Sequence, residues 1–318
     1  MSLTTARATA SLLRADDRET LRGTFGERAR FDEPLAPHTS WKIGGPADAF
    51  VTVGDEDELA QLLRFCLQRR MPWWVLGGGS NVLVGDGGVR GIVVRLAGEF
   101  AAVHVRDGES EVVVDAGGSA DMALVTAKAA SAGAAGVDSL AGIPGTIGGS
   151  LRMNAGTDRE FGEFVRSVWV QSPSGPEPHE VDVRYLYRRS TLGRDVIVSR
   201  ATLAFVRGGV REVRQDMQTR LIRRKKTQPL ALPNAGSCFR NPDGDKAARL
   251  IESVGAKGWR EGGAEVSPLH ANFINNVGGA TAKDVATLLA RVRRAVRDRC
   301  GVELQLEVHL VGVFIDAT

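Results

Sequence analysis

The sequence predicts an α+β protein with more than one domain, on three observations. The first half mixes short apolar strands with few helices, which favours α+β over a doubly wound sheet. A stretch that is glycine-rich yet apolar, AGIPGTIGGSLRMNAG at residues 141–156, interrupts that half. The C-terminal part sets one long amphipathic helix before a cleanly alternating strand. At 318 residues the chain is long for a single core, so about two domains are expected.

In chain order, Leu12, Leu13 and Leu21 mark a short N-terminal helix packed on the body. Residues 55–70 open on Asp55, Glu56 and Asp57 and place Leu59, Leu62, Leu63 and Cys66 at helical spacing. The run Trp73-Trp74-Val75-Leu76 is a buried strand that ends in the loop Gly77-Gly78-Gly79-Ser80-Asn81, with Val82-Leu83-Val84 behind it. Residues 91–96, 101–105 and 111–115 are further strands separated by turn residues. An alanine-rich helix over 120–132 stops at Gly133, and strands return at 165–171 and 196–205. Residues 211–226 form a basic helix with Val213, Met217, Leu221 and Ile222 on one face. Pro229 and Pro233 then break the chain, which places a domain boundary nearby. The helix over 282–299 is N-capped by Thr281, stopped by Gly301, and striped by Val285, Leu288, Leu289, Val292 and Val296. In the strand over 302–311, Val302, Leu304, Leu306, Val308 and Leu310 face one way, while Glu303, Gln305, Glu307 and His309 face the other.

Composition excludes several function classes. Hydrophobic residues at 43% and charged residues at 25% are those of an ordinary soluble globular protein. A net charge of only +3 supports neither wholesale nucleic-acid binding nor membrane binding. No apolar run reaches transmembrane length, and the N-terminus lacks the apolar core of a signal peptide. Asp16, Asp17 and Glu19 argue against a transit peptide. Cys66, Cys238 and Cys300 are odd in number and far apart, and the five histidines are dispersed. Neither a disulfide framework nor a metal site is expected, and a reducing cytoplasm fits.

The glycine stretches are the first candidates for chemistry. Glycine lets backbone N–H groups approach a ligand without a Cβ in the way, and a pyrophosphate is the usual beneficiary. The Gly77 loop lacks the spaced third glycine of a Rossmann fingerprint and the Lys-Ser/Thr ending of a Walker A loop. By itself it reads equally as a turn between strands or a ligand cradle. Ser237, in Asn234-Ala235-Gly236-Ser237-Cys238-Phe239, is either a hydroxyl at a rigid bend or an ordinary turn serine, and no hydrolase elbow surrounds it. Arg188 beside Tyr185 and Tyr187 suits an anionic or enolic oxygen, or simply packs on a ring. Glu307 lies on the polar face of its strand. The basic residues 220–226 could meet RNA, a nucleotide diphosphate or only water.

Taken in order, these segments resemble the bacterial UDP-N-acetylenolpyruvoylglucosamine reductases. The match runs through Thr39-Ser40-Trp41-Lys42-Ile43-Gly44-Gly45, Gly78-Gly79-Ser80-Asn81-Val82-Leu83, and Gly142-Ile143-Pro144-Gly145-Thr146-Ile147-Gly148-Gly149. It continues with Met153-Asn154-Ala155-Gly156, Tyr187-Arg188-Arg189-Ser190, Ala235-Gly236-Ser237 through Asn241-Pro242, and Leu304-Gln305-Leu306-Glu307-Val308. The shorter family form, lacking a tyrosine-bearing insertion, is the closer subtype.

The resemblance implies a vanillyl-alcohol-oxidase-type FAD-binding fold of two α+β subdomains over 39–208, then an α+β substrate domain over 209–318. Residues 1–38 form an N-terminal extension in this division, and the last strand returns toward the flavin. FAD is the implied cofactor and NADPH the hydride-donating cosubstrate. The substrate is UDP-N-acetylglucosamine enolpyruvate, reduced to UDP-N-acetylmuramate in a cytoplasmic monomer. By resemblance, Gly77, Gly78, Gly79, Ser80, Asn81, Gly142, Ile143, Pro144, Gly145, Gly148, Gly149, Asn154, Ala155 and Gly156 line the flavin. Arg188 and Glu307 stabilise an enediolate-like species, and Ser237 donates the proton that completes the lactyl ether. Tyr187, Lys226, Gln228 and Asn241 face the substrate.

The chain departs from the family at Leu306, where proline is common before the glutamate, and at Thr157-Asp158-Arg159, where Ala-Tyr-Gly is frequent. An oxygen-using oxidase on the same flavin fold does not explain why Ser237, Arg188 and Glu307 occur together. A flavin-free RNA-binding protein would use the basic segment instead.

Overall fold

The computed structural model describes residues 10–315. Its first lobe comprises α1 (Ala15–Phe25), β1 (Ala29–Pro34), β2 (Pro46–Val53), α2 (Glu56–Arg69), β3 (Trp73–Val75), β4 (Val82–Val84) and β5 (Val89–Leu96). The sheet runs in the order β1-β2-β5-β3, with β2, β5 and β3 parallel and β1 antiparallel on the edge. Both faces are covered. Ala49, Val51, Ile92 and Val94 pack under α1 and α2, while Ala47, Phe50, Val89 and Val93 meet Leu35, Leu76 and Val84. Helix α2 forms where expected, with Asp55 accepting the Glu58 N–H as N-cap.

Within the N-terminal extension, the helix expected to pack on the body forms as α1. Leu13, Leu21, Phe25 and Ala29 are buried in the first-lobe core, and β1 pairs with β2 along its length. Residues 1–9 of that extension lie outside the described residues.

The second lobe holds β6 (Val103–Asp107), β7 (Glu111–Gly117), α3 (Met122–Ser131), α4 (Ile147–Met153), β8 (Val165–Gln171), β9 (His179–Glu180), the hairpin of β10 (Tyr185–Leu186) and β11 (Arg189–Ser190), β12 (Ile197–Val206) and α5 (Val210–Thr227). Its sheet, β6-β7-β12-β8-β9, is antiparallel throughout. Helix α5, which lies before the boundary that Pro229 and Pro233 mark and inside the 209–318 division that the resemblance implies, packs on this lobe. Val213 and Met217 enter its core, while Leu221 and Ile222 stay exposed.

The C-terminal part contains α6 (Ala247–Ser253), β13 (Arg260–Glu261), β14 (Ala264–Val266), β15 (Ile274–Asn276), α7 (Ala282–Cys300) and β16 (His309–Val311). The five-residue stripe of α7 is buried, and Thr281 with Asp284 closes a capping box before Gly301 ends the helix at φ +70°. Several ties bind this part to the first lobe. Asp86 accepts the N–H groups of Ala282 and Lys283 at 2.8 and 3.0 Å. Trp41, fully buried, donates its Nε1–H to the Ile274 carbonyl at 2.8 Å. Strand β16 pairs in parallel with β4, His309 opposite Val82.

The alternating strand expected over 302–311 is a ladder only at its end. Leu304 and Val308 are buried and Glu303 and Gln305 exposed, so the alternation is real. Upstream of β16, however, the segment forms one isolated bridge, Leu306 opposite Phe239, rather than an extended ladder.

Candidate active site

The two glycine loops touch. A Cβ on Gly77 would lie 2.7 Å from Thr146 Oγ1, and one on Gly78 would lie 2.8 Å from Gly145 Cα. Ser80 donates its hydroxyl to the Pro144 carbonyl at 3.1 Å. Glycine is required here first for loop-to-loop contact. What the contact leaves open is a run of donors: the N–H groups of Gly77 through Asn81 have no acceptor among the described residues. Consecutive unpaired N–H groups make an anion-binding nest. Gly148 and Gly149 differ, because their N–H groups are used on Gly118 O and Thr146 Oγ1. At the far side of the second loop, a Cβ on Gly142 would meet Leu221 and Arg224 of α5, and Ile143 is partly buried against the second-lobe core.

Helix α4 starts inside the glycine stretch and ends on Asn154, whose left-handed φ of +44° makes it the C-cap. From there Asn154 donates to Leu186 O at 3.0 Å and to the Glu160 carboxylate, and accepts the Gly162 N–H at 2.8 Å. Ala155 N–H returns to Ser150 O.

Next to this corner stands Arg188, itself at φ +55° in the β10–β11 turn. Its Nε pairs with Glu307 Oε1 at 3.0 Å, Nη1 with Glu160 Oε1 at 3.1 Å, and Nη2 with Gly156 O at 2.8 Å. Tyr187 is exposed, with the guanidinium 4.9 Å from its ring centroid. Glu307 is largely buried, which pushes its pKa up; Arg188 and Arg240 pull it down and Glu160 adds to the rise. Asn81 donates to the Glu307 carbonyl at 3.0 Å, so the first glycine loop and the glutamate are directly linked.

Ser237 arrives on the segment that faces Glu307. Glu307 N–H donates to Cys238 O at 2.8 Å, and Arg240 N–H to Gln305 O at 2.9 Å. Asn272 braces the other edge through Cys238 N–H, Phe239 N–H and Phe239 O. Cys238 is fully buried with its thiol pushed up to about 12, so it stays protonated at neutral pH.

The remaining expected residues are more scattered. Lys226 is exposed near the end of α5, and Gln228 is half-buried with Oε1 unpaired among the described residues. Asn241 spends its Oδ1 on the Ala247 N–H at the start of α6. Glu160 and Arg240, both close to the ion pair, were not singled out by sequence. What brings each to the ion pair is a contact with a segment remote in the chain, Arg188 for Glu160 and Glu307 for Arg240.

Two family models match the chain: an FAD binding domain over residues 47–175, and the UDP-N-acetylenolpyruvoylglucosamine reductase C-terminal domain over residues 228–311. The reductase of Anaeromyxobacter sp. strain Fw109-5 is 43% identical over 285 residues, covering 89% of this chain and 88% of its own. The chain belongs to the UDP-N-acetylenolpyruvoylglucosamine reductase family. Reductase 2 of Symbiobacterium thermophilum is 44% identical over 289 residues, covering 90% and 92% of the two chains. The crystal structure of the Thermus caldophilus reductase superposes with a TM-score of 0.76 at 34% identity, over 89% of this chain and 98% of that one. The C-terminal family match begins after α5, in keeping with the packing of that helix on the second lobe. No helix among the described residues is long and apolar enough to cross a membrane.

The loop contact gives a first test of the flavin site. Gly78→Ala forces a Cβ against the Gly145 backbone, an overpacking that costs about 1–3 kcal/mol. FAD affinity, measured by titrating apoprotein with the fluorescent cofactor, is expected to fall roughly 5- to 150-fold. An unchanged affinity would mean that the two loops do not form one cradle.

Proposed function

We propose that this family member reduces UDP-N-acetylglucosamine enolpyruvate to UDP-N-acetylmuramate, with FAD held over the paired glycine loops and NADPH as donor. The observation that carries the reading is the Arg188–Glu307 ion pair, formed where the second lobe meets the C-terminal part, beside Ser237 and linked through Asn81 to the open N–H nest. The nest fits a pyrophosphate, because its donors are unpaired and contiguous. When bound, FAD supplies the two-electron relay between NADPH and the enolpyruvyl double bond.

The chain's own residues manage the charge. As the terminal methylene becomes a methyl group, negative charge gathers on the adjacent carbon and spreads onto the carboxylate. Arg188 holds that carboxylate from a fixed guanidinium plane. Glu307, whose pKa burial raises, stands against the same guanidinium beside those oxygens. Ser237 gives its proton to the carbon, and solvent restores it. Lys226 is free to meet the substrate diphosphate. Gln228 offers an unpaired amide oxygen, Asn241 its amide NH2, and Tyr187 an exposed ring.

The family's shorter form is assigned because the only tyrosines, Tyr185 and Tyr187, both belong to the β10–β11 hairpin. A cytoplasmic monomer is the working state proposed, as the family resemblance implies.

An anaerobic two-step titration tests the function. NADPH is expected to bleach the flavin, and the enolpyruvyl substrate to restore the oxidised spectrum mole for mole. Bleaching without return would refute the substrate. A protein that takes up no FAD would refute the whole reading.

A further inference from the structure

Glu160 has no part in the reaction as derived so far, yet it makes the second carboxylate contact of Arg188. We propose that Glu160 is a positioning residue whose carboxylate, gripped by Asn154, turns the Arg188 guanidinium so that Nε faces Glu307. This rests on the roles of Arg188 and Glu307 given above.

A guanidinium carries five donors in one rigid plane, so three acceptors around it fix both place and tilt. The three come from separate segments: Glu307 before β16, Glu160 beyond the Asn-Ala-Gly run, and Gly156 within that run. Arg188 also occupies a left-handed backbone conformation that a branched or long side chain rarely adopts outside tight turns. An arginine aimed this way loses little rotamer freedom when substrate arrives. Glu160 is itself held. One oxygen takes Arg188 Nη1, the other takes Asn154 Nδ2, and its N–H donates to Glu163 Oε1 at 2.7 Å. Its side chain is only 26% exposed, which separates it from a solvated glutamate.

The arrangement also has an electrostatic signature. The charged and titratable groups facing Glu307 are Arg188, Arg240, Glu160 and the Cys238 thiol; those facing Glu160 are Arg188 and Glu163. Glu160 opposes ionisation of Glu307, so neutralising Glu160 must let Glu307 ionise more readily.

The test uses the FAD-loaded full chain and the variants Glu160→Gln and Glu160→Asp. In Glu160→Gln the new NH2 must face either Arg188 or Asn154 Nδ2, donor against donor. Flavin reduction by NADPH is expected within two-fold of wild type, while reoxidation by the enolpyruvyl substrate slows roughly 10- to 100-fold. The inflection in the pH profile of reoxidation that Glu307→Gln abolishes should move to lower pH, and Glu160→Asp should recover part of the rate. A Glu160→Gln profile that overlays wild type overturns the inference. So does a parallel loss of both half-reactions and of Tm with no pH movement, which would mark Glu160 as scaffold.

A wild-type enzyme that the substrate fails to reoxidise would refute the proposed function instead. The clamp is then judged on the resting protein by NMR. The Arg188 Nε–H resonance, assigned through its loss in Arg188→Lys, should shift and exchange faster in Glu160→Gln. An unmoved resonance would overturn the clamp.

Discussion

Replacing Ser237 by alanine is expected to leave the bleaching of the bound flavin by NADPH intact and to slow its recovery on the enolpyruvyl substrate by about 10²–10⁴. The selectivity follows from where the hydroxyl sits. The residues that follow it, Cys238 to Arg240, are fixed from both sides, by Asn272 on one edge and by residues 305–307 on the other, and neither set of bonds involves the Ser237 side chain. The hydroxyl has no hydrogen-bond partner among the described residues, so its removal orphans nothing. Stability should change by less than about 0.5 kcal/mol. The adjacent Cys238 thiol cannot substitute, being fully buried and with its pKa pushed up to about 12. Stopped-flow absorbance of each half-reaction checks the expectation. If both rates fall together, Ser237 is not the proton donor.

The fold was legible where local pattern and tertiary packing agree. Helix α7 is the plainest example: its capping residue, its stopping glycine and its five buried stripe residues all point to one answer. Helix α4 was hidden for the opposite reason. Gly148 and Gly149 each cost about 1 kcal/mol in a helix. The helix forms because Thr146 caps it and because a Cβ at Gly148 would press to 3.0 Å from Gly118 O, so close packing demands the glycine. The segment before β16 shows the reverse error. Its alternation reports burial correctly, but a ladder needs a neighbouring strand, and residues 238–240 supply only one isolated bridge.

The site divides in the same way. The glycine runs announce a close approach in the sequence itself, although not that they approach each other. Arg188, Glu307 and Ser237 became distinct from other surface candidates only through the family resemblance, because the contacts that single them out join segments remote in the chain. Glu160 lies just past Thr157-Asp158-Arg159, where this chain departs from the common family pattern, so no resemblance pointed to it.

Arg188→Ala removes the cation held between the partly buried carboxylates of Glu160 and Glu307, and its effects should be the largest after Ser237→Ala. Reoxidation by substrate is expected to slow about 10²–10³, the usual loss for one preorganised charge-stabilising donor. The sign of the pH effect is more diagnostic than the rate. Burial already raises the pKa of both Glu160 and Glu307, and Arg188 is the charge that pulls both back down. Without it both rise further, so the Glu307 inflection should move to higher pH, opposite to its movement in Glu160→Gln. Stability follows the same logic. A carboxyl whose folded pKa lies above its unfolded value favours the fold while protonated, and that contribution is lost as pH rises through the folded pKa. The Tm deficit of Arg188→Ala should therefore be small near the ordinary carboxyl range and widen toward neutral pH. A deficit that stays constant across that range would mean that the carboxylates do not feel Arg188. Opposite shifts from the two substitutions are hard to obtain from general loosening of the fold, because loosening would expose Glu307 and lower its pKa in both.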